Sequence, residues 1–355
     1  MRDADQTADL QAAVQQAAAA RAPLAIHGGG SKAALWRPSR GEHLDVRNHR
    51  GVISYEPEEL VLTARTGTPL ADIEIALEAS GQMLAFEPPH FAGGATVGGA
   101  IASGLSGPRR PFAGAARDFV LGVRLIDGQG QTLRFGGQVM KNVAGFDVSR
   151  LMCGAFGTLG VLLDVSLKVL PRPAADITLD FAASRAQALE WLSGWCGRPL
   201  PISAAAHHEG RLRLRLSGTT SGVAAARELL GGDATSDQPA WWAALRDQQL
   251  DFFTRPGAAL WRLSLPPAAP MPELAGDWLL DWAGAQRWLR TPEAPEKVRA
   301  AAVALGGHAV WYTGRPEGEP FYAPLPAPLL ALHRRVKAAF DPLGLFNPGA
   351  LYPDL

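Results

Sequence analysis

The 355-residue sequence predicts an α+β protein of two domains followed by a C-terminal helix and tail. Three observations lead there. The chain is longer than one hydrophobic core usually sustains, which sets two domains as the starting expectation. Its first half alternates helix and strand signals around glycine clusters. Its second half changes texture: eight of ten tryptophans lie between Trp191 and Trp288, and RLRLRLSG (211–218) alternates strictly, as a half-buried antiparallel strand does. Pro171-Arg172-Pro173 punctuates the change. The expected domains are therefore 1–171 and 172–320, with the helix and tail over 321–355.

Taken in order, Thr7 is placed to cap a first helix, ADLQAAVQQAAAARA, whose alanines favour helix. Pro23 opens a short strand, PLAIH, that runs straight into a glycine cluster. Strands follow at GVISYEP and ELVLTART. Thr68-Pro69 reads as N-cap and first helical residue of LADIEIALEAS, which Gly81 ends. FVLGVRLIDGQGQTLRFG reads as a hairpin turning at 127–130. A helical segment near 147–153 leads to GAFGTLG and the strand VLLDVSLKVL. Beyond the boundary come RLRLRLSG, a helix over 222–230, a helix WWAALRDQQLDFF and a strand LWRLSL. APLLALHRRVKAAF is an amphipathic helix broken at Asp341-Pro342.

Composition excludes several functions. Lys plus Arg and Asp plus Glu each number 34, so no electrostatic footprint for nucleic acid or an anionic membrane is present. The tryptophans therefore read as core and interface, not as a stacking platform. No run is long and apolar enough to span a bilayer, and the N-terminus has no signal-peptide core, so a cytoplasmic protein is expected. Cys153 and Cys196 can form neither a disulfide framework nor a four-thiolate site, and both read as buried small residues. The eight histidines show no metal-ligand spacing, and the adjacent His207 and His208 would point to opposite faces of a strand. No metal site is expected.

Three glycine clusters carry the chemistry: HGGGSKA (27–33), GGATVGGAIASGLSG (93–107) and GAFGTLG (154–160). The middle one holds six glycines in fifteen residues, an entropic cost that a loop pressed against a ligand justifies. None is a Walker A loop, and Phe156 breaks the dinucleotide fingerprint in the third. Bare backbone beside hydroxyls points to a large phosphate-bearing cofactor. Thr96 is placed to cap a short helix, VGGAIAS, whose free amides would face an anion. Arg109 and Arg110 read equally as phosphate partners or as a solvated pair.

The order of GGGSK, EELVLTARTGTPLADIEIAL, GGATVGGAIASGLSGPRR, RDFVLGVRLIDGQG, KNVAGFDVSRLMCGAFGTLG and FDPLGLFNPG resembles the vanillyl-alcohol oxidase superfamily with its PCMH-type FAD-binding domain. Within it, SGPRRPFAGAARDFVLG, LWRLSLP and WAGAQRWL are similar to the FAD-binding E subunits of bacterial glycolate oxidases. The resemblance spans nearly the whole chain. It implies a two-subdomain FAD-binding domain, an α+β cap domain with an antiparallel sheet, and a tail returning to the FAD domain. It implies that Gly28, Gly29, Gly30, Ser31 and Lys32 wrap the FAD pyrophosphate. Gly93, Gly94, Thr96, Val97, Gly98, Gly99, Ser103 and Ser106 would form a second cradle toward the flavin. Gly157, Gly160 and Val161 would approach adenine and ribose, and Asn347 the flavin ring. Ser31 stands where covalent members of the superfamily often carry a histidine, which implies non-covalent FAD.

The same resemblance implies work within a glycolate oxidase complex, beside a catalytic flavoprotein subunit and an iron–sulfur subunit that passes electrons toward quinone. Any membrane contact would come through those partners. The hydroxy-acid dehydrogenases of the superfamily carry a His/Asp/Gly/Asn-rich cap motif, and AAAHHEGRLRLRLSG lacks it. Arg262, Arg287 and His208 are the remaining candidates for handling a 2-hydroxy acid; structural roles are expected for each, and the catalytic residues stay unknown. A stand-alone FAD-dependent oxidase of a hydroxy acid or alcohol and a non-catalytic FAD-holding assembly subunit are the alternatives.

Overall fold

The structure, a computed structural model, describes residues 3–91, 93–137, 147–235, 238–315, 321–353 and 355. The KNVAGF portion of the sequence motif, 141–146, lies outside them. Two compact units result: Met1–Ser106 with Gly114–Arg172 and Leu325–Leu355, and Gly107–Ala113 with Pro173–Pro324.

In the first unit, helix α1 (Thr7–Ala20) buries Leu10, Val14 and Ala17 at helical spacing. Thr7 does not cap it. Gln6 takes the cap position, while the Thr7 amide donates to Asp5 Oδ1 and its hydroxyl accepts from Arg124 Nη2. Strands β1 (Leu24–His27) and β2 (Glu42–Asp45) pair in parallel, from Leu24 opposite Glu42 to His27 opposite Asp45. The C-terminal tail bonds to Leu24 on both its polar groups: Leu24 N donates to Leu345 O, and Asn347 N donates to Leu24 O. Leu10, Val14, Leu24, Leu44, Val161, Leu345 and Phe346 close one core over this layer.

Strands β3 (Val52–Glu56) and β4 (Val61–Arg65) follow, with helix α2 (Leu70–Glu78) and the short β5 (Gln82–Met83) behind them. The expected cap Thr68 serves the loop instead: its hydroxyl donates to Arg65 O and accepts from Gly51 N. Pro69 stands at the cap position. The predicted hairpin forms β6 (Val120–Ile126) and β7 (Thr132–Gly136), with Asp127 Oδ1 accepting from the Gln129 and Gln131 amides. Strand β8 (Val161–Lys168) completes an antiparallel sheet of order β3-β4-β8-β6-β7, and β9 (Leu170–Pro171) pairs with β5.

The helix Ala327–Phe340 contributes no fully buried residue, yet its end is fastened tightly. Lys337 Nζ donates to Thr158 O, Phe346 O and Asp341 Oδ2 at 2.6–2.8 Å. Asp341, 1% exposed, accepts from the Leu345 and Phe346 amides. Burial pulls the Lys337 ammonium below its ordinary pKa, and the Asp341 carboxylate opposes that pull.

The second unit is one antiparallel sheet. Its strands are β10 (Ala175–Ala182), β11 (Ile202–His208), β12 (Arg211–Gly218), β13 (Asp233–Ala234), β14 (Ala259–Ser264), β15 (Asp277–Asp281), β16 (Gln286–Thr291) and β17 (His308–Thr313). Their order is β13-β10-β12-β11-β15-β16-β14-β17. Leu212, Leu214 and Leu216 of the alternating strand bury one face beneath helices Arg185–Cys196 and Thr220–Leu230. The opposite face is less wet than its alternation suggests. Arg213 and Arg215 lie over the Trp241 and Trp242 rings of helix Gln238–Arg246, at 4.2 and 5.0 Å. The single helix expected over WWAALRDQQLDFF is two, Gln238–Arg246 and Asp251–Thr254, because Gln248 takes a left-handed φ of 55° between them. The tryptophans are largely core: Trp261 and Trp311 stack at 4.8 Å beside Trp278. Cys196 departs from expectation by ending its helix exposed, while Cys153 is half-buried.

Because Asp341 neutralises a buried ammonium and satisfies two amides, Asp341→Ala should destabilise the protein by about 3–5 kcal/mol. Chemical denaturation checks this, and an unchanged unfolding midpoint would refute the role.

Candidate functional site

Strand β1 ends at His27, and the chain leaves it through three glycines. Gly30 takes φ +73°, open to glycine without cost. The amides of Gly28, Gly29, Gly30 and Ser31 donate to no acceptor among the described residues. Successive unspent N–H groups in a turn form a concave anion site. Gly29 can carry no side chain, since a Cβ there would lie 1.5 Å from Gly94 O. The first and second glycine loops therefore touch backbone to backbone.

Helix α3 (Val97–Ser103) is capped as expected, Gly99 N donating to Thr96 Oγ1 at 3.2 Å. Its amides do not aim at an anion, however. Val97 N donates to Thr68 O and Gly98 N to Thr66 O, at 2.9 and 2.8 Å. Those bonds seat α3 against the end of β4, and a Cβ on Gly98 would strike Thr66 at 2.6 Å. The first two amides of α3 are thus spent on the scaffold.

These loops line a cavity of about 310 Å³. Of the residues singled out from sequence, Gly28, Gly29, Gly30, Ser31, Lys32, Thr96, Gly98, Gly99, Gly157, Gly160 and Asn347 line it. Six do not. Val97 and Val161 are fully buried core. Ser103 Oγ donates to Ala100 O inside its own helix, and Ser106 Oγ accepts from Ala116 N. Gly93 and Gly94, at φ +90° and +75°, shape the loop that meets Gly29. Arg109 and Arg110 lie in the second unit, paired with Asp176 at 3.2 Å and set over the Trp282 ring at 4.2 Å.

Asn347 and Gly157, assigned above to opposite ends of a cofactor, are neighbours. Asn347 Oδ1 accepts from Ile26 N at 2.8 Å, and its Nδ2 donates to Phe156 O at 2.7 Å. A Cβ on Gly157 would sit 2.8 Å from that Nδ2. Asn347 is therefore a clamp in the cavity wall, with both polar ends spent on backbone.

Sequence reading missed several lining residues. Trp36 and Phe156 meet edge to face at 5.0 Å, an aromatic corner suited to a planar ring. Ser39 Oγ lines the cavity, buried and without a hydrogen-bond partner among the described residues. His27 and His43 stack at 4.3 Å with 9° between their planes, each in the lining. Burial, then the neighbouring His43, lowers the His27 pKa from its ordinary value. Only the parallel register of β1 on β2 could reveal that pair, since sixteen positions separate them in the chain.

The candidates in the second unit are structural in two cases. Arg287, fully buried, donates to Gly284 O, Pro270 O and Ala269 O, and burial lowers its pKa to about 10. His208 packs edge to face on Phe252, and burial lowers its pKa. Arg262 lies over the Tyr312 ring at 5.9 Å. Among the described residues no group of three or more His, Cys, Asp or Glu could hold a metal ion, and no helix is long and apolar enough to cross a membrane.

A first loop of unspent amides, an orphaned buried hydroxyl, an aromatic corner and glycines with no room for a side chain fit a dinucleotide bearing a diphosphate. An FAD binding domain family model matches residues 3–136. Over 99% of the chain, the fold superposes with TM-score 0.73 on 88% of p-cresol methylhydroxylase with substrate bound, at 15% identity. The chain is thus an FAD-binding flavoprotein of the oxidoreductase class, with the PCMH-type α+β fold. It is 50% identical over all 355 residues, and over the full length of the relative, to glycolate oxidase subunit GlcE of Escherichia coli (strain K12). Across 36% of this chain and 27% of the relative, it is 32% identical to glycolate oxidase subunit GlcD of Bacillus subtilis (strain 168). The chain belongs to the GlcE family of glycolate oxidase subunits.

Gly29→Ala should force the two glycine loops apart and weaken FAD retention at least about tenfold, some 1.4 kcal/mol. Visible flavin absorbance of the purified variant, read against its unfolding midpoint, checks this. Full flavin content would refute the backbone contact as a determinant of the site.

Proposed function

We propose that this chain is the FAD-holding E subunit of a glycolate oxidase complex that oxidises glycolate to glyoxylate. The observation that carries the reading is end-to-end identity of 50% to the E. coli subunit, together with a cavity built for a diphosphate. Gly28 to Ser31 would donate their amides to the FAD pyrophosphate, with Lys32 adding positive charge. Thr96, Gly98 and Gly99 would form the adjoining wall. Gly157, Gly160 and Asn347 would close the far side, next to Trp36 and Phe156. Gly93, Gly94, Val97, Ser103, Ser106 and Val161 would support that wall from behind. With serine at position 31, the flavin would be held non-covalently.

Bound FAD supplies a two-electron acceptor. Of the three candidates for handling a 2-hydroxy acid, Arg287 and His208 are committed to packing, which leaves Arg262 as a lone cation and not a base paired with a carboxylate anchor. Substrate oxidation would therefore fall to a catalytic flavoprotein partner. Two cysteines, one exposed and one half-buried, cannot ligate a cluster, so an iron–sulfur partner would carry electrons toward quinone. The assembly would be cytoplasmic, touching the membrane only through those partners.

Anaerobic mixing of the FAD-loaded chain with glycolate should leave its flavin absorbance unchanged, whereas the co-purified complex should bleach. Bleaching by the chain alone would overturn this division of labour, and a chain that never takes up flavin would overturn the cofactor role.

A further inference from the structure

The cavity lining contains no carboxylate among the described residues, and one formal cation, Lys32. A dinucleotide pyrophosphate carries two negative charges. Lys32, 3% exposed, supplies one compensating charge from within hydrogen-bond reach of Ser31 Oγ, at 3.2 Å. The remaining titratable groups in the lining are the stacked imidazoles of His27 and His43. Parallel pairing sets Ala25 opposite His43 and His27 opposite Asp45, so the rings stack across the two strands at the exit of the glycine loop.

We propose that His27, stacked on His43, supplies the second positive charge by taking up one proton when the diphosphate cofactor binds. This rests on the FAD reading above.

The geometry limits the uptake to one proton. Rings stacked 4.3 Å apart would repel each other if both were charged. The charged groups facing His27 are His43 and the Asp45–Arg47 pair on the neighbouring strand, with Lys32 in the same cavity. Asp45 is engaged by Arg47, whose Nε donates to it at 2.9 Å, so the pair is close to neutral toward the rings. Without ligand, burial and His43 keep the His27 pKa below its ordinary value, so the ring is neutral near pH 7. A diphosphate brought beside it raises that pKa. The sign follows from linkage: the bound state holds more protons, so affinity rises as pH falls between the bound and free values.

FAD titration of the flavin-stripped full-length chain between about pH 5 and 8 tests this. The Kd should rise with pH by up to about tenfold per unit over part of that range. Calorimetry of the same binding in two buffers of different ionisation enthalpy should register uptake of up to one proton per FAD. His27→Gln with His43→Gln should flatten the pH dependence, while FAD still binds through the loop amides. Binding that is independent of pH, with no proton uptake, would overturn the role of the pair and leave the cofactor site intact. So would a double variant with an unchanged slope. No FAD binding at any pH would instead overturn the cofactor reading itself. Since the calorimetric measurement needs only the unaltered chain, a variant that fails to fold does not shelter the proposal.

Discussion

The first unit depends on one side chain near the far end of the sequence. Asn347 hydrogen-bonds to Ile26 N across 321 positions and to Phe156 O across 191, and its own amide donates to Leu24 O. Its backbone sits at φ 42°, a left-handed conformation that asparagine adopts more readily than most residues. These bonds hold together the strand that launches the first glycine loop, the turn forming the opposite wall and the tail itself. The Lys337–Asp341 pair behind it pins the same tail to Thr158 O. Closing loops of that length is entropically costly, and these buried and half-buried bonds offset that cost.

That arrangement explains why the site can be made of bare backbone. Four unspent amides bind an anion only if the loop is already held in the binding conformation, because ordering it on binding would consume the gain. Here the loop is braced by contact between Gly29 and Gly94, by the clamp at the end of β1, and by α3 seated on Thr66 and Thr68. The amides of α3 are consumed in that bracing. The first turn of the helix next to the cavity is therefore scaffold, while the loop amides meet no acceptor among the described residues.

The two units divide their polar chemistry differently. In the first, uncommitted groups converge on a cavity. In the second, arginines that look available in sequence are committed: Arg287 and Arg290 to backbone carbonyls, Arg213 and Arg215 to indole rings.

Local chemistry was legible in the sequence wherever a short-range rule decides it. The Asp127 hairpin, the Thr96 cap, the alternation of Leu212, Leu214 and Leu216, and the glycine loop after the first strand all depend on residues within a few positions of one another. Partnerships between distant segments were not legible. Nothing local to Thr7 or Thr68 says that their hydroxyls serve Arg124 and Gly51 rather than a helix end. Nothing in VGGAIAS says that its first amides are spent on Thr66 and Thr68. The neighbourhood of Asn347 with Gly157, and of His27 with His43, arises from strand register and chain closure. By itself the sequence determined most elements of the first unit, the glycine loop after the first strand and the family. Only the tertiary structure decided which donors remain free, because a hydrogen bond is consumed by whichever partner folding brings within 3 Å.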